Sequence, residues 1–160
     1  MAFISLYAMH KITAERGVIS IPEDNIKATD IPFVGHIGIK DDNNELSLEF
    51  KENVLNHIQT IHAGAQLTLA ETQSGRHLQK LFPELEGKVI PVLRHAQMKY
   101  KKPAQDTIIA FSSTDEEAVE AFKTQFEKKG RGSLQISVEV KDINGVLTAQ
   151  ATFTWFVQAL

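Results

Sequence analysis

The chain has 160 residues, 42% apolar and 23% charged, with a formal charge of −3. This length suits one domain with a sizeable core, and the mild negative charge, without a basic motif interleaved with aromatics, argues against a general nucleic-acid binder. The absence of cysteine excludes disulfides, thiolate nucleophiles and Cys-ligated zinc. The N-terminus has no basic region, long apolar run or cleavage site of a signal peptide, and no stretch approaches the ~18 apolar residues of a membrane span. The expectation is a soluble, cytoplasmic protein.

Residues 1–30 form an N-terminal extension in which Phe3, Ile4, Leu6 and Tyr7 suggest a short packed helix and 17–22 a short extended piece. Ile37 and Ile39 alternate with Gly38 and Lys40, Asp41-Asp42-Asn43-Asn44 is a polar turn cluster, and Leu46, Leu48 and Phe50 alternate again. That pattern predicts a β-hairpin with one buried face. Residues 62–81 read as a helix apolar over most of its girth, with Ala63, Ala65, Leu67, Leu69, Ala70, Leu78 and Leu81. Such a helix belongs inside the protein. Phe82-Pro83 ends it.

An extended segment follows over 89–102 and another over 106–113. Thr114 with Glu117 three residues on predicts a capping box, Ala118, Val119, Phe122 and Phe126 form an apolar stripe, and Gly130 is the C-cap. Leu134, Ile136, Val138 and Val140 alternate, Asp142-Ile143-Asn144-Gly145 turns, and Leu147 to Val157 alternate again. The order β-β-α-β-β-α-β-β, with strands joined by hairpins around a buried helix, argues for an α+β domain and against a parallel sheet.

The run from Asn56 through His62-Ala63-Gly64-Ala65 to Ala70-Glu71 resembles the helix signature of hotdog-fold acyl thioesterases, nearest to the phenylacetate-pathway type. Tyr100-Lys101-Lys102-Pro103-Ala104 and Gly130-Arg131-Gly132 follow in the matching order, and the helix at 115–129 is similar to that of a largely uncharacterised thioesterase-related subgroup. The resemblance spans about 33–157. It implies one hotdog domain over 1–160, an antiparallel sheet wrapped around a long central helix, with an extra helix between later strands. Ala63 stands where the family usually has its first glycine, and Glu71 replaces the commoner aspartate.

Thioester hydrolysis requires a donor for the developing oxyanion and a carboxylate that activates water or attacks directly. A helix N-terminus offers unpaired amides, and the resemblance implies that the N–H of Ala63, or of Gly64, polarises the thioester carbonyl. Glu71 is the carboxylate candidate because it interrupts an apolar stretch, where desolvation favours its protonated form. A helical glutamate is ordinarily solvated, but the surrounding motif puts the functional reading ahead. Asn56 either orders the loop and contacts acyl group or water, or makes a turn bond. His62 either shapes the pocket or packs near the helix start. Ser74 either faces substrate or is small enough for close packing. Lys101 and Arg131 are candidates for coenzyme A phosphates, Arg131 because its flanking glycines allow close approach; a solvated strand edge or helix end is the alternative. His57 and His62 are badly spaced for a metal, and no metal or cofactor is expected beyond coenzyme A as part of the substrate.

Ala63 and Glu71 are eight residues apart, roughly 12 Å along a helix, so one carbonyl cannot meet both groups on one helix. The resemblance implies antiparallel helices across a two-fold axis, hence an obligatory homodimer with shared sites, or a dimer of dimers. The expected function is acyl-CoA thioester hydrolysis. The alternatives are a non-catalytic acyl-CoA-binding or regulatory protein and a β-hydroxyacyl dehydratase, whose usual His with Phe-Pro-Gly context is missing here.

Overall fold

The structure is a computed structural model that describes residues 27–42 and 45–160, and of 12–14 and 17–19 the backbone alone. The expected helix around Phe3 to Tyr7 lies outside these residues. The extended piece is present in part: β1 (Ile12–Ala14) pairs with β2 (Gly17–Ile19) as a separate antiparallel ribbon.

The main chain path then runs through a short helix α1 (Pro32–Ile37), strands β3 (Ile39–Asp42) and β4 (Glu45–Leu48), the long helix α2 (Ala63–Leu81), strands β5 (Val89–Tyr100) and β6 (Ile108–Ser113), helix α3 (Glu116–Lys129), and strands β7 (Arg131–Asp142) and β8 (Leu147–Ala159). The six strands β3 to β8 form one antiparallel sheet in the order β3-β4-β6-β7-β8-β5. Its inner face curls around α2.

The period-two pattern explains which side faces in. Along β7 Leu134, Ile136, Val138 and Val140 are buried while Ser133, Gln135 and Ser137 are exposed. β8 contributes Ala149, Ala151, Phe153 and Val157 to the same face, β4 Leu46 and Leu48, and β6 Ile108 and Ala110. Leu69 and Ala70 of α2 are fully buried against them. Each large aliphatic side chain removed from water contributes roughly 1.5–3 kcal/mol, so this one interface supplies most of the fold's driving force.

Three local readings shift. Ile37 is not in the hairpin but ends α1, which Pro32 opens at the first helical position and Gly38 closes at φ 80°. The cap of α3 is Asp115, whose Oδ1 accepts from Ala118 N–H at 3.1 Å, one residue after the predicted Thr114; Asp115, Glu116 and Glu117 together complement the helix dipole. Helix α2 is not apolar all round. Gly64, Thr68, Glu71, Gly75 and Gln79 recur at helical spacing and stay at least partly open, and this stripe positions the candidate site.

The edge strand β5 differs from the rest of the sheet. None of its twelve residues is buried, and Val92 and Tyr100 are large exposed side chains. Among the described residues, nothing pairs with its outer edge. No helix among them is long and apolar enough to cross a membrane.

Candidate active site

The loop before α2 is built by Asn56. Its Oδ1 accepts from the N–H groups of Ile58 at 3.0 Å and Thr60 at 3.1 Å, and its Nδ2 donates to Thr60 Oγ1 at 2.8 Å. An Asx turn of this kind suits the tight reversal, where Gln59 takes the left-handed φ of 57°. Asn56 therefore makes the turn bonds of its second reading, and they order the loop.

His62 is the N-cap of α2, its backbone at φ −57° and ψ 139°, and its Nδ1 accepts from Gly64 N–H at 2.9 Å. A Cβ at Gly64 would lie 3.1 Å from that nitrogen, so the glycine makes room for the imidazole. The same peptide group is held on its other side: Tyr100 of β5 donates its hydroxyl to Ala63 C=O at 2.8 Å. The Ala63–Gly64 peptide is thus locked by two side chains. The His62 carbonyl accepts from Gln66 N–H at 3.1 Å, the first bond of the helix ladder. Of the two amides expected to face a substrate carbonyl, Gly64 is engaged in the cap, and Ala63, at the first helical position, is the one aimed off the helix end.

Glu71 lies two turns further along the open stripe and is half-buried. Burial alone pushes its carboxyl above the ordinary glutamate range. Among the described residues no donor or cation engages it. Burial likewise raises the Tyr100 hydroxyl.

Ser74 does not open onto a cleft. It is fully buried, donates to the Glu71 carbonyl at 2.7 Å and accepts from Trp155 Nε1 at 3.0 Å; its hydroxyl anchors a β8 side chain and has no free face for substrate. Arg131 is exposed at the start of β7. Gly132 faces inward, where a Cβ would meet Phe122 of α3 at 2.9 Å, and Gly130 caps α3 at φ 62°. Both glycines serve α3, and strand alternation sends Arg131 to the opposite, solvent face of the sheet. Arg131 pairs with Gln158 at the Val89 end of β5, whereas exposed Lys101 follows Tyr100 at the Ala63 end, about 35 Å away at ~3.3 Å per residue. Only Lys101 lies at the Ala63 end of α2.

Two side chains without an assigned sequence role belong here. Tyr100 fixes the first turn of α2, and Trp155 rests its ring edge where a Gly75 Cβ would be, at 3.3 Å. Their parity on β5 and β8, shared with Met98 and Phe153, was the available signal. Among the described residues no group of His, Asp and Glu side chains has the arrangement of a metal site. Hollows lie on both sides of the sheet. One of about 110 Å³ is walled by Leu78, Phe82, Leu85, Val89, Pro91 and Val157 at the lower end of the α2 stripe. A wider one, about 360 Å³, lies on the solvent face among Gln97, Lys99, Ser137 and Thr152, where the sheet separates it from Glu71.

This is the hotdog fold, and solved structures share it. A protein of unknown function from Pseudomonas aeruginosa, described as a probable thioesterase, is 20% identical with a TM-score of 0.72, over 83% of this chain and 91% of that one. A Bacillus halodurans protein solved with CoA is 22% identical with a TM-score of 0.62, over 78% and 74%. A mutant of a Staphylococcus aureus thioesterase is 15% identical with a TM-score of 0.62, over 79% and 98%. No match was found among curated proteins. A family model matches residues 31–157, nearly the whole described sheet and both longer helices, and the chain therefore belongs to the DUF4442 family, a domain of unknown function.

Proposed function

We propose that the protein is an acyl-CoA thioesterase working as a homodimer. The observation that carries this is Glu71: a half-buried carboxylate with no partner among the described residues, on the open stripe of α2. A desolvated carboxylate without partners costs stability, and catalysis is a reason to retain one. Water adds to the thioester carbonyl carbon as Glu71 takes its proton. The oxyanion is held by the Ala63 N–H of the partner's α2, where the helix dipole also favours negative charge. The intermediate then collapses, the C–S bond breaks, and the thiolate leaves with a proton as free coenzyme A beside the carboxylic acid. Lys101, exposed near the Ala63 end, supplies a cation for a phosphate.

Three further points support the reading. The phenylacetate-type helix motif falls on these residues, the Bacillus relative was solved with CoA, and others are described as thioesterases. The unpaired edge of β5 supports the dimer, since a long exposed edge is a template for a second copy.

The test is release of free thiol from a panel of acyl-CoAs by wild type and Glu71→Gln, with binding measured in parallel. Hydrolysis should fall by ~10²–10⁴, the usual worth of a positioned base, while binding persists. Binding by wild type without turnover on any acyl-CoA would instead select a non-catalytic acyl-CoA-binding protein.

A further inference from the structure

Following the open stripe of α2 away from Ala63, Glu71 is succeeded by Gly75 and then by Leu78 and Gln79. These are the i+4, i+7 and i+8 positions of one helix face. At Gly75 the stripe is covered. The Trp155 ring lies against the glycine, its two outer carbons 3.3 and 3.5 Å from where a Cβ would stand. The ring is also pinned. Its Nε1 donates to Ser74 Oγ at 3.0 Å, and that hydroxyl donates in turn to the Glu71 carbonyl at 2.7 Å. One turn beyond the ring along the same helix face lies the cavity of about 110 Å³ walled by Leu78, Phe82, Val89, Pro91 and Val157. Phe122 of α3 backs that cavity by stacking on Phe82 at 4.8 Å between ring centroids.

We infer that Trp155 is the specificity-determining stop for the acyl chain, and that the cavity behind it is the unused remainder of the acyl channel. This rests on the thioesterase reading above. A thioester carbonyl level with Glu71 has four residues of helix before the ring, roughly 6 Å at 1.5 Å per residue. C–C bonds of ~1.5 Å advance about 1.3 Å each along a zigzag, so about four or five carbons fit. Short acyl chains are accepted, and longer ones meet the indole. The buried Ser74 hydroxyl holds the stop in place, which explains a serine at a site whose small size alone would suit alanine.

Trp155 is the only tryptophan in the chain, so the unmodified protein carries its own reporter. Emission is recorded while the Glu71→Gln protein is titrated with acetyl-, butyryl-, hexanoyl- and decanoyl-CoA. Acetyl-CoA should leave the spectrum almost unchanged at saturation, and hexanoyl-CoA should shift or quench it. Identical spectra for all chains at saturation would overturn the inference. In hydrolysis, wild type should prefer butyryl- and hexanoyl-CoA. Trp155→Ala should raise the decanoyl-to-butyryl ratio of kcat/KM by about tenfold or more, the scale of discrimination by apolar pockets, and Trp155→Phe should shift it less while preserving packing. An unchanged ratio in an active, folded variant would refute the stop. Loss of turnover on every chain in wild type, with the fluorescence pattern intact, would remove the hydrolase reading and leave the acyl stop standing.

Discussion

The sharpest test of a shared site exploits the conformation of a single residue. Ala63 is the first residue of α2, and His62 before it holds φ −57° and ψ 139°, the extended geometry that a following proline requires. Ala63→Pro therefore deletes one N–H at a position with no intrahelical partner and keeps the carbonyl that Tyr100 holds. Folding should change little. Loss of an oxyanion donor should cost ~10²–10³ in kcat, or about 2.7–4 kcal/mol. Ala63 and Glu71 are separated by roughly 12 Å of helix, so they act on one carbonyl only across a dimer. Co-refolding equal amounts of Ala63→Pro and Glu71→Ala should then rescue activity. Half of the dimers become mixed, and each mixed dimer has one intact site of two, so the mixture should recover about one quarter of wild-type turnover. Thiol release before and after co-refolding measures it, with a tagged chain to confirm exchange. Exchange without rescue would show that the two groups do not share a site. Wild-type turnover by Ala63→Pro would remove the amide from the mechanism.

Three further outcomes follow from the same geometry. Burial raises the Glu71 pKa, so kcat/KM should rise with pH through a value above that of an ordinary glutamate, and this limb should vanish in Glu71→Gln. By linkage, the stability associated with this group is fully present below its unfolded pKa and is lost as pH rises through the raised folded value; Glu71→Gln should therefore melt higher than wild type at neutral pH, the gap closing in acid. Gly132→Ala forces a methyl to 2.9 Å from the Phe122 ring, and urea unfolding should report a loss of about 1–3 kcal/mol. His62→Ala removes the α2 cap and should cost about 1 kcal/mol, with His62→Asn restoring most of it.

Much of this architecture is legible in the chain because burial imposes a period. The alternation of Leu134 to Val140 and the run ended by Phe82-Pro83 report one-sided and many-sided burial; the first lies inside β7 and the second matches α2 within a residue. Helix α1 was hidden because six residues carry too little periodicity, and its Gly38 terminator also suits a hairpin. The candidate roles of Ala63 and Glu71 were legible in their places along the helix motif, one at its first position and one interrupting its apolar run. Ser74 and Arg131 show what the sequence alone left open. Composition reveals that a residue is small or charged, but not which neighbour consumes its hydrogen bond or which sheet face it takes. Ser74 is spent on Trp155, 81 positions away, and Arg131 is turned outward because Gly132 must accept Phe122.

The proposed dimer accounts for Glu71 and β5 together. A protein of this size rarely leaves a twelve-residue strand with no buried position, nor a desolvated carboxylate with nothing to bind. Both face the same side of α2, because Tyr100 at one end of β5 reaches Ala63 and Pro91 at the other borders the cavity beside Gln79. The groove has a floor in α2 and one wall in β8, and the described residues supply no second wall. In the proposed dimer, extending the sheet through β5 brings in that wall together with the partner's Ala63 amide, which a helix that sets its own Ala63 roughly 12 Å from Glu71 cannot supply. In the proposed dimer the same addition closes the edge, covers the strand and joins Glu71 to the partner's Ala63 amide, so one association accounts for both the exposure of β5 and the isolation of Glu71.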